Sequence, residues 1–283
     1  MGRIAYVNGR FVPHADASVN IEDRGYQFAD GVYEVYPVRA SRLLDEDAHW
    51  QRLERSLREL SIANPVRPAS IKAISGELLR RNRVVDGLIY LQITRGVAPR
   101  DHAFPSHAKP SIVMTAKTID YEKMDARAAK GVAVRTMPDL RWKRPDIKSI
   151  SLLPNVLAKQ AARAAGAYEA WLIDDAGFVT EGASSNAWIV DSGGRLITRG
   201  LGAEILSGTI RGVVLSLASE LQLQVQERPF TLREAKDAAE AFLTAATNFV
   251  MPVVEIDGIM IGKGLPGPIA LQMRRAYKDK SLI

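Results

Sequence analysis

Five short stretches of this 283-residue chain hold side chains able to do chemistry. His49, Arg52 and Ser56 stand at i, i+3 and i+7 of a helix expected over Asp45 to Leu60, so they share one side. An arginine between a histidine and a hydroxyl can seat an anion, although the same pattern more often makes a solvated helix face. Arg100 and His102 follow the strand that ends Gln92-Ile93-Thr94. They can converge on one carboxylate, for which Arg offers a planar fork, or simply furnish a surface loop. Lys148 lies between apolar segments in Pro145-Asp146-Ile147-Lys148-Ser149; most lysines are solvated, and a catalytic one is the exception. Glu181 opens Glu181-Gly182-Ala183-Ser184-Ser185-Asn186, where small residues let a flat ligand reach the backbone or merely make turns. In Ser207-Gly208-Thr209-Ile210-Arg211 a loop enters an apolar-periodic helix. Free N–H groups at such an entry attract phosphate, and Ser or Thr there equally serves as an ordinary cap.

Composition narrows the classes. There is no cysteine, which excludes disulfides, thiolate zinc sites and cysteine nucleophiles. No metal site is expected. The formal charge of +6 is spread along the chain, which favours a solvated basic surface over nucleic-acid binding. No apolar run approaches the roughly 18–20 residues that span a bilayer, and the start lacks the pattern of a signal peptide. The expectation is a cytoplasmic protein with no membrane or nucleic-acid partner.

The elements that must position these residues follow from periodicity. Asn8-Gly9 between Ile4–Val7 and Arg10–Val12 predicts a hairpin. Trp50, Leu53, Leu57 and Leu60 form the apolar face of the helix over Asp45–Leu60, and a second helix fits Ser70–Arg81. Strands are expected at Leu88–Thr94 and Ile112–Ala116, and again near Val132–Thr136. Strands between Ala170 and Val190 are separated by the turn Asp174-Asp175-Ala176-Gly177, and Ser192-Gly193-Gly194 marks another hairpin. Further helices suit Leu153–Ala165, Gly208–Glu220, Leu232–Ala239 and Gly267–Ala276. Runs of strands followed by helices predict an α+β fold. The division expected is an N-terminal α+β domain over 1–120, a polar connection over 121–131, and a C-terminal cofactor-binding domain over 132–283.

Taken in order and spacing, these segments resemble the fold-type IV family of pyridoxal-phosphate aminotransferases, from Val7-Asn8-Gly9 to Glu255-Ile256-Asp257-Gly258. The resemblance implies a two-domain enzyme: a smaller N-terminal domain and a larger C-terminal one with a β-barrel-like sheet. It implies Lys148 as the lysine that forms the Schiff base and shuttles the proton, and Glu181 as the partner of the cofactor's pyridine nitrogen. It also places Arg52 on the cofactor phosphate. Asp23-Arg24-Gly25-Tyr26-Gln27-Phe28-Ala29-Asp30-Gly31-Val32-Tyr33-Glu34 and Arg95-Gly96-x-x-Pro99-Arg100-x-His102-x-Phe104-Pro105 resemble the branch that acts on D-amino acids. By that similarity Tyr33, Arg100 and His102 form a trap for the substrate carboxylate. The implied reaction is ping-pong transfer of an amino group between D-amino acids and 2-oxo acids, by a homodimer. The cofactor's electron sink needs Glu181 to keep the ring nitrogen protonated.

The sequence departs from the family in two places. The phosphate loop, often Gly-Ile-Thr-Arg, reads Gly208-Thr209-Ile210-Arg211, which leaves backbone N–H groups at Thr209 and Ile210 and the displaced Thr209 hydroxyl. The later hydroxyl-rich stretch becomes Thr244-Ala245-Ala246-Thr247-Asn248, with Thr247 as the expected phosphate contact. A branched-chain L-aminotransferase of the same fold keeps Lys148, Glu181 and Arg52 but has no need of Arg100 and His102. A basic binding module with no chromophore is the alternative from another class.

Overall fold

Asn8 and Gly9 take φ of 46° and 92°, the left-handed pair that a tight hairpin turn requires, and Ile4 pairs with Pro13 across it. The computed structural model describes residues 2–281. The chain divides into two units, Met1–Asp120 with Ile147–Ser151, and Tyr121–Asp146 with Leu152–Ile283.

In the first unit the elements run β1 (Ile4–Val7), β2 (Arg10–Pro13), α1 (Arg24–Phe28), β3 (Gly31–Arg39), β4 (Arg42–Leu43), α2 (Glu46–Glu59), α3 (Pro68–Asn82), β5 (Gly87–Thr94) and β6 (Ser111–Thr118). The strands form one antiparallel sheet in the order β2-β1-β6-β5-β3-β4. The period of two sends Val32, Tyr36, Val38, Ile89, Leu91, Ile93, Ile112 and Met114 to one face. There they pack with Leu53 and Leu57 of α2 and Ile71, Leu78 and Leu79 of α3. Fully burying a leucine of this kind stabilises the fold by about 1.5–3 kcal/mol. Tyr33, Tyr90 and Gln92 necessarily face the other way, Tyr33 directly opposite Gln92.

The second unit runs α4 (Tyr121–Ala128), β7 (Val132–Pro138), α5 (Leu153–Ala164), β8 (Glu169–Ile173), β9 (Val179–Gly182), β10 (Asn186–Val190), β11 (Leu196–Thr198), α6 (Thr209–Glu220), β12 (Val225–Glu227), α7 (Leu232–Lys236), β13 (Glu240–Ala245), β14 (Phe249–Ile256), β15 (Ile259–Met260) and α8 (Pro268–Ser281). The sheet order is β12-β11-β10-β13-β14-β7-β8-β9, with β15 on β14. Pairings of β11 with β12, β14 with β7 and β7 with β8 are parallel, so the sheet is mixed.

Two readings from sequence change here. The stretch 121–131 is not a plain connection. It holds α4, whose Tyr121, Met124 and Ala128 are buried at i, i+3 and i+7. The segment Ile147–Ser151, expected within the C-terminal domain, groups with the first unit, where Val32 bridges Ser149 and Ile150 N–H donates to Gly31 O at 3.0 Å. Strands β3, β13 and β14 also stand where periodicity predicted none.

Candidate active site

Within the first unit, α2 and β3 assemble a buried polar cluster on the core face. The stripe of His49, Arg52 and Ser56 is not a solvated helix face: all three are buried, His49 completely. It is met by Glu34, an acid within the apolar side of β3. Arg52 donates from Nε to Glu34 Oε1 at 2.8 Å and from a terminal nitrogen to Oε2 at 2.7 Å. His49 Nδ1 lies 2.7 Å from Glu34 Oε2, and its ring packs 4.6 Å from Tyr36. Burial alone would raise the Glu34 carboxyl, but Arg52 and His49 hold it far below the usual carboxylate range. Burial lowers the His49 imidazole, against the pull of the Glu34 charge, and a proton on Nδ1 is what the contact with the ionised carboxylate requires. The phenol of Tyr36 is pushed up by burial and by the Glu34 charge.

The side-chain end of Lys148 reaches the opposite face, while its backbone stands beside β3 and α2. Its carbonyl accepts from Tyr33 N–H at 3.0 Å, and its own N–H donates to Ser56 Oγ at 3.2 Å. Its Nζ sits 4.1 Å from the centroid of the Tyr33 ring, which in turn lies 5.9 Å from Tyr90. Arg100 and His102 are exposed and gather at Phe28 instead, the guanidinium 4.7 Å and the imidazole 5.3 Å from that ring. Among the described residues no hydrogen bond or ring contact joins either of them to Tyr33.

In the second unit β9 carries Glu181, whose carboxylate is buried and accepts from Arg141, from Asn186 Nδ2 at 2.9 Å and from Leu206 N–H at 3.2 Å. Burial pushes this carboxyl up to about 7, while Arg141 and the Leu206 amide pull it back towards the charged form. Arg141 is shared with Asp139 and the Glu204 carbonyl. Asn186 also donates to Leu206 O at 2.9 Å, binding Glu181 to the loop before α6. That loop ends on Gly208, and a Cβ there would overlap Asn186 Oδ1. Thr209 and Ile210, both buried, begin α6, whose first-turn N–H groups have no acceptor within the helix. Thr247 is half-buried between β13 and β14 and donates to Asn248 Oδ1 at 3.0 Å. Arg211 is turned to structural use, donating to Glu227 and to Arg199 O.

Sequence reasoning missed Glu34 and Arg141. An acid amid the apolar residues of Val32–Val38 was the available signal for the first. Arg141 had none beyond its place in a short basic stretch.

Residues 31–256 match the amino-transferase class IV family. The chain belongs to the class IV aminotransferases. Among its relatives in that family, the D-alanine aminotransferase of Bacillus licheniformis is 41% identical over 275 residues, covering 97% of this chain and 96% of that one. The D-alanine aminotransferase of Staphylococcus haemolyticus is 37% identical over 274 residues, 96% of this chain and 95% of its own. The fold is that of fold-type IV enzymes. A branched-chain amino acid aminotransferase of T.th., solved with pyridoxamine 5′-phosphate, superposes with a TM-score of 0.89 at 26% identity, covering 99% of this chain and 94% of its own. The Escherichia coli branched-chain enzyme gives 0.90 at 22%, covering 99% and 95%, and shows the fold alone. The donor set of this aminotransferase suits a phosphorylated pyridine. Glu181 is a buried acceptor whose ionised form gains from a further cationic N–H, and α6 opens with anion-seeking amides.

Proposed function

We propose that the chain transfers amino groups between D-amino acids such as D-alanine and 2-oxo acids such as 2-oxoglutarate, using pyridoxal 5′-phosphate in a ping-pong cycle. The observation that carries this reading is Lys148, fixed through its backbone with Nζ over the Tyr33 ring, in a chain 41% identical to a D-alanine aminotransferase. The cofactor, when bound, supplies the carbonyl that receives the amino group and the ring that takes up the electrons left at the substrate α-carbon.

Lys148 would hold the cofactor, and its Nζ would serve as the base that takes the proton from the substrate α-carbon. Glu181 accepts from the pyridine N–H and keeps that proton in place. Arg52, the N–H groups of Thr209 and Ile210, and Thr247 hold the phosphate. Because Glu34 already balances the charge of Arg52, that guanidinium offers the phosphate directed N–H groups rather than net charge. Tyr33, Arg100 and His102 hold the substrate carboxylate, and the side to which it is drawn decides which enantiomer turns its α-hydrogen to Lys148. The reading includes a homodimer in a cytoplasmic setting. Support for the dimer comes from Arg100 and His102, which lie at Phe28 rather than Tyr33 in one chain, and from Leu153, Val156 and Leu157, exposed together on α5.

The test is the half-reaction. Purified, cofactor-loaded protein is mixed with D-alanine or, separately, with L-leucine, and the visible absorbance of the cofactor is followed. Bleaching by D-alanine alone is expected. Bleaching by L-leucine alone would move the enzyme to the branched-chain activity and remove the assigned role of Arg100 and His102. A protein that stays colourless with added cofactor would end the enzymatic reading.

A further inference from the structure

We propose that Ser56 is a positioning residue for Lys148: its hydroxyl holds the backbone of the lysine in the conformation that presents Nζ for covalent attachment of the cofactor. The inference rests on the reading of Lys148 given above.

Lys148 is the central residue of a three-residue turn, since Ser149 N–H donates to Ile147 O at 2.7 Å and the φ of Lys148 is not positive. Such a turn takes a single residue out of the strand-like pairing around it. On its C-terminal side the chain bridges β3 at Ser149: Tyr33 N–H donates to Lys148 O, and Ile150 N–H to Gly31 O, both at 3.0 Å. The N–H of Lys148 itself faces away from β3 and finds no strand. A half-buried N–H needs a partner, and Ser56 Oγ supplies it at 3.2 Å from a side chain only 1% exposed. Ser56 is one helical turn beyond Arg52 on the same side of α2. One helix thus carries both the arginine assigned to the phosphate and the hydroxyl that holds the backbone of the lysine. Removal of the hydroxyl leaves the Lys148 N–H unpaired and frees the turn to relax, moving Nζ while the phosphate contacts stay.

The experiment compares two ligands on the apo-protein. Pyridoxal 5′-phosphate can bond covalently to a lysine, whereas pyridoxamine 5′-phosphate cannot and so reports only the non-covalent contacts. For Ser56→Ala, affinity for pyridoxal phosphate should fall about tenfold, the scale of one lost buried hydrogen bond. Affinity for pyridoxamine phosphate should stay within about twofold of wild type, and Ser56→Thr should restore the pyridoxal form. Equal losses for both ligands would mean a general structural or phosphate role and overturn the proposal, as would no change in either. Alanine is a good helix former of smaller volume, so Ser56→Ala is expected to fold; Ser56→Cys, with a weak acceptor in the same place, should fall between it and wild type. Lys148→Ala is measured in parallel. If it leaves wild-type affinity for pyridoxal phosphate intact, the assignment of Lys148 has failed, whatever Ser56 does.

Discussion

Glu34 and Glu181 are both buried carboxyls, and their surroundings tilt them in opposite directions. Glu34 has two partners, Arg52 and His49, close enough to overcome the penalty of burial, so its folded state binds the proton more weakly than the unfolded chain does. Stability from such a group is present above 4.5, the ordinary glutamate value, and is lost as pH falls towards the depressed folded value. Glu181 is raised to about 7, so the apo-protein loses stability as pH climbs from 4.5 to that point. For Glu34→Gln the expectation is a loss of about 3–5 kcal/mol at neutral pH, because Arg52 is left buried without its counter-charge. The variant should also show a flatter decline in acid. Urea midpoints measured from pH 7 down to pH 3 check both; a decline as steep as wild type below pH 4.5 would show that Glu34 is not the titrating group. Glu34 explains why part of the site was illegible in sequence. Lys148, Glu181 and the pair Arg100 and His102 were legible as residue types in an order, but the partner that makes Arg52 a buried residue lies on a strand that periodicity did not predict.

Among the elements, the legible ones are those with one wet face. The Asn8-Gly9 hairpin, α2, α3, β5 and α5 fall within a residue or two of their expected bounds, because a clean apolar stripe or a turn pair announced them. β3 was hidden by Glu34 on its core face and by Pro37, which cannot donate to a ladder. β13 and β14 are buried almost throughout, so no alternation remains to separate them from a buried helix. α4 announces its buried side with only three residues amid charges. The entry to α6 allows a paired test. Gly208→Ala drives a methyl group into Asn186, whose other contacts hold Glu181 and Leu206, and should cost about 1–3 kcal/mol and weaken cofactor binding. Gly212→Ala, one turn on in the same helix, meets nothing within 4 Å and should stabilise by about 0.5–1 kcal/mol. Urea unfolding and cofactor titration of the two variants settle the matter; equal behaviour would mean that Asn186 gives way without consequence.

For the chain in solution, the expected particle is a homodimer. Sedimentation equilibrium should return twice the chain mass of 31.1 kDa. Introducing a charge at Val156, on the exposed apolar side of α5, should shift the mass towards a single chain. A single-chain mass for the wild type at micromolar concentration would remove the dimer from the reading while leaving Lys148 and Glu181 in their roles.

The five residues Ile147–Ser151 belong to the first unit although the chain on both sides of them belongs to the second. A polypeptide that returns in this way cannot be recombined at one junction. A chimera that swaps residues 1–120 for those of a relative keeps its own Lys148 turn and pairs it with a foreign β3 and a foreign residue in place of Ser56. Exchange of catalytic character between relatives therefore requires two inherited blocks, and the shorter of them is a pentapeptide.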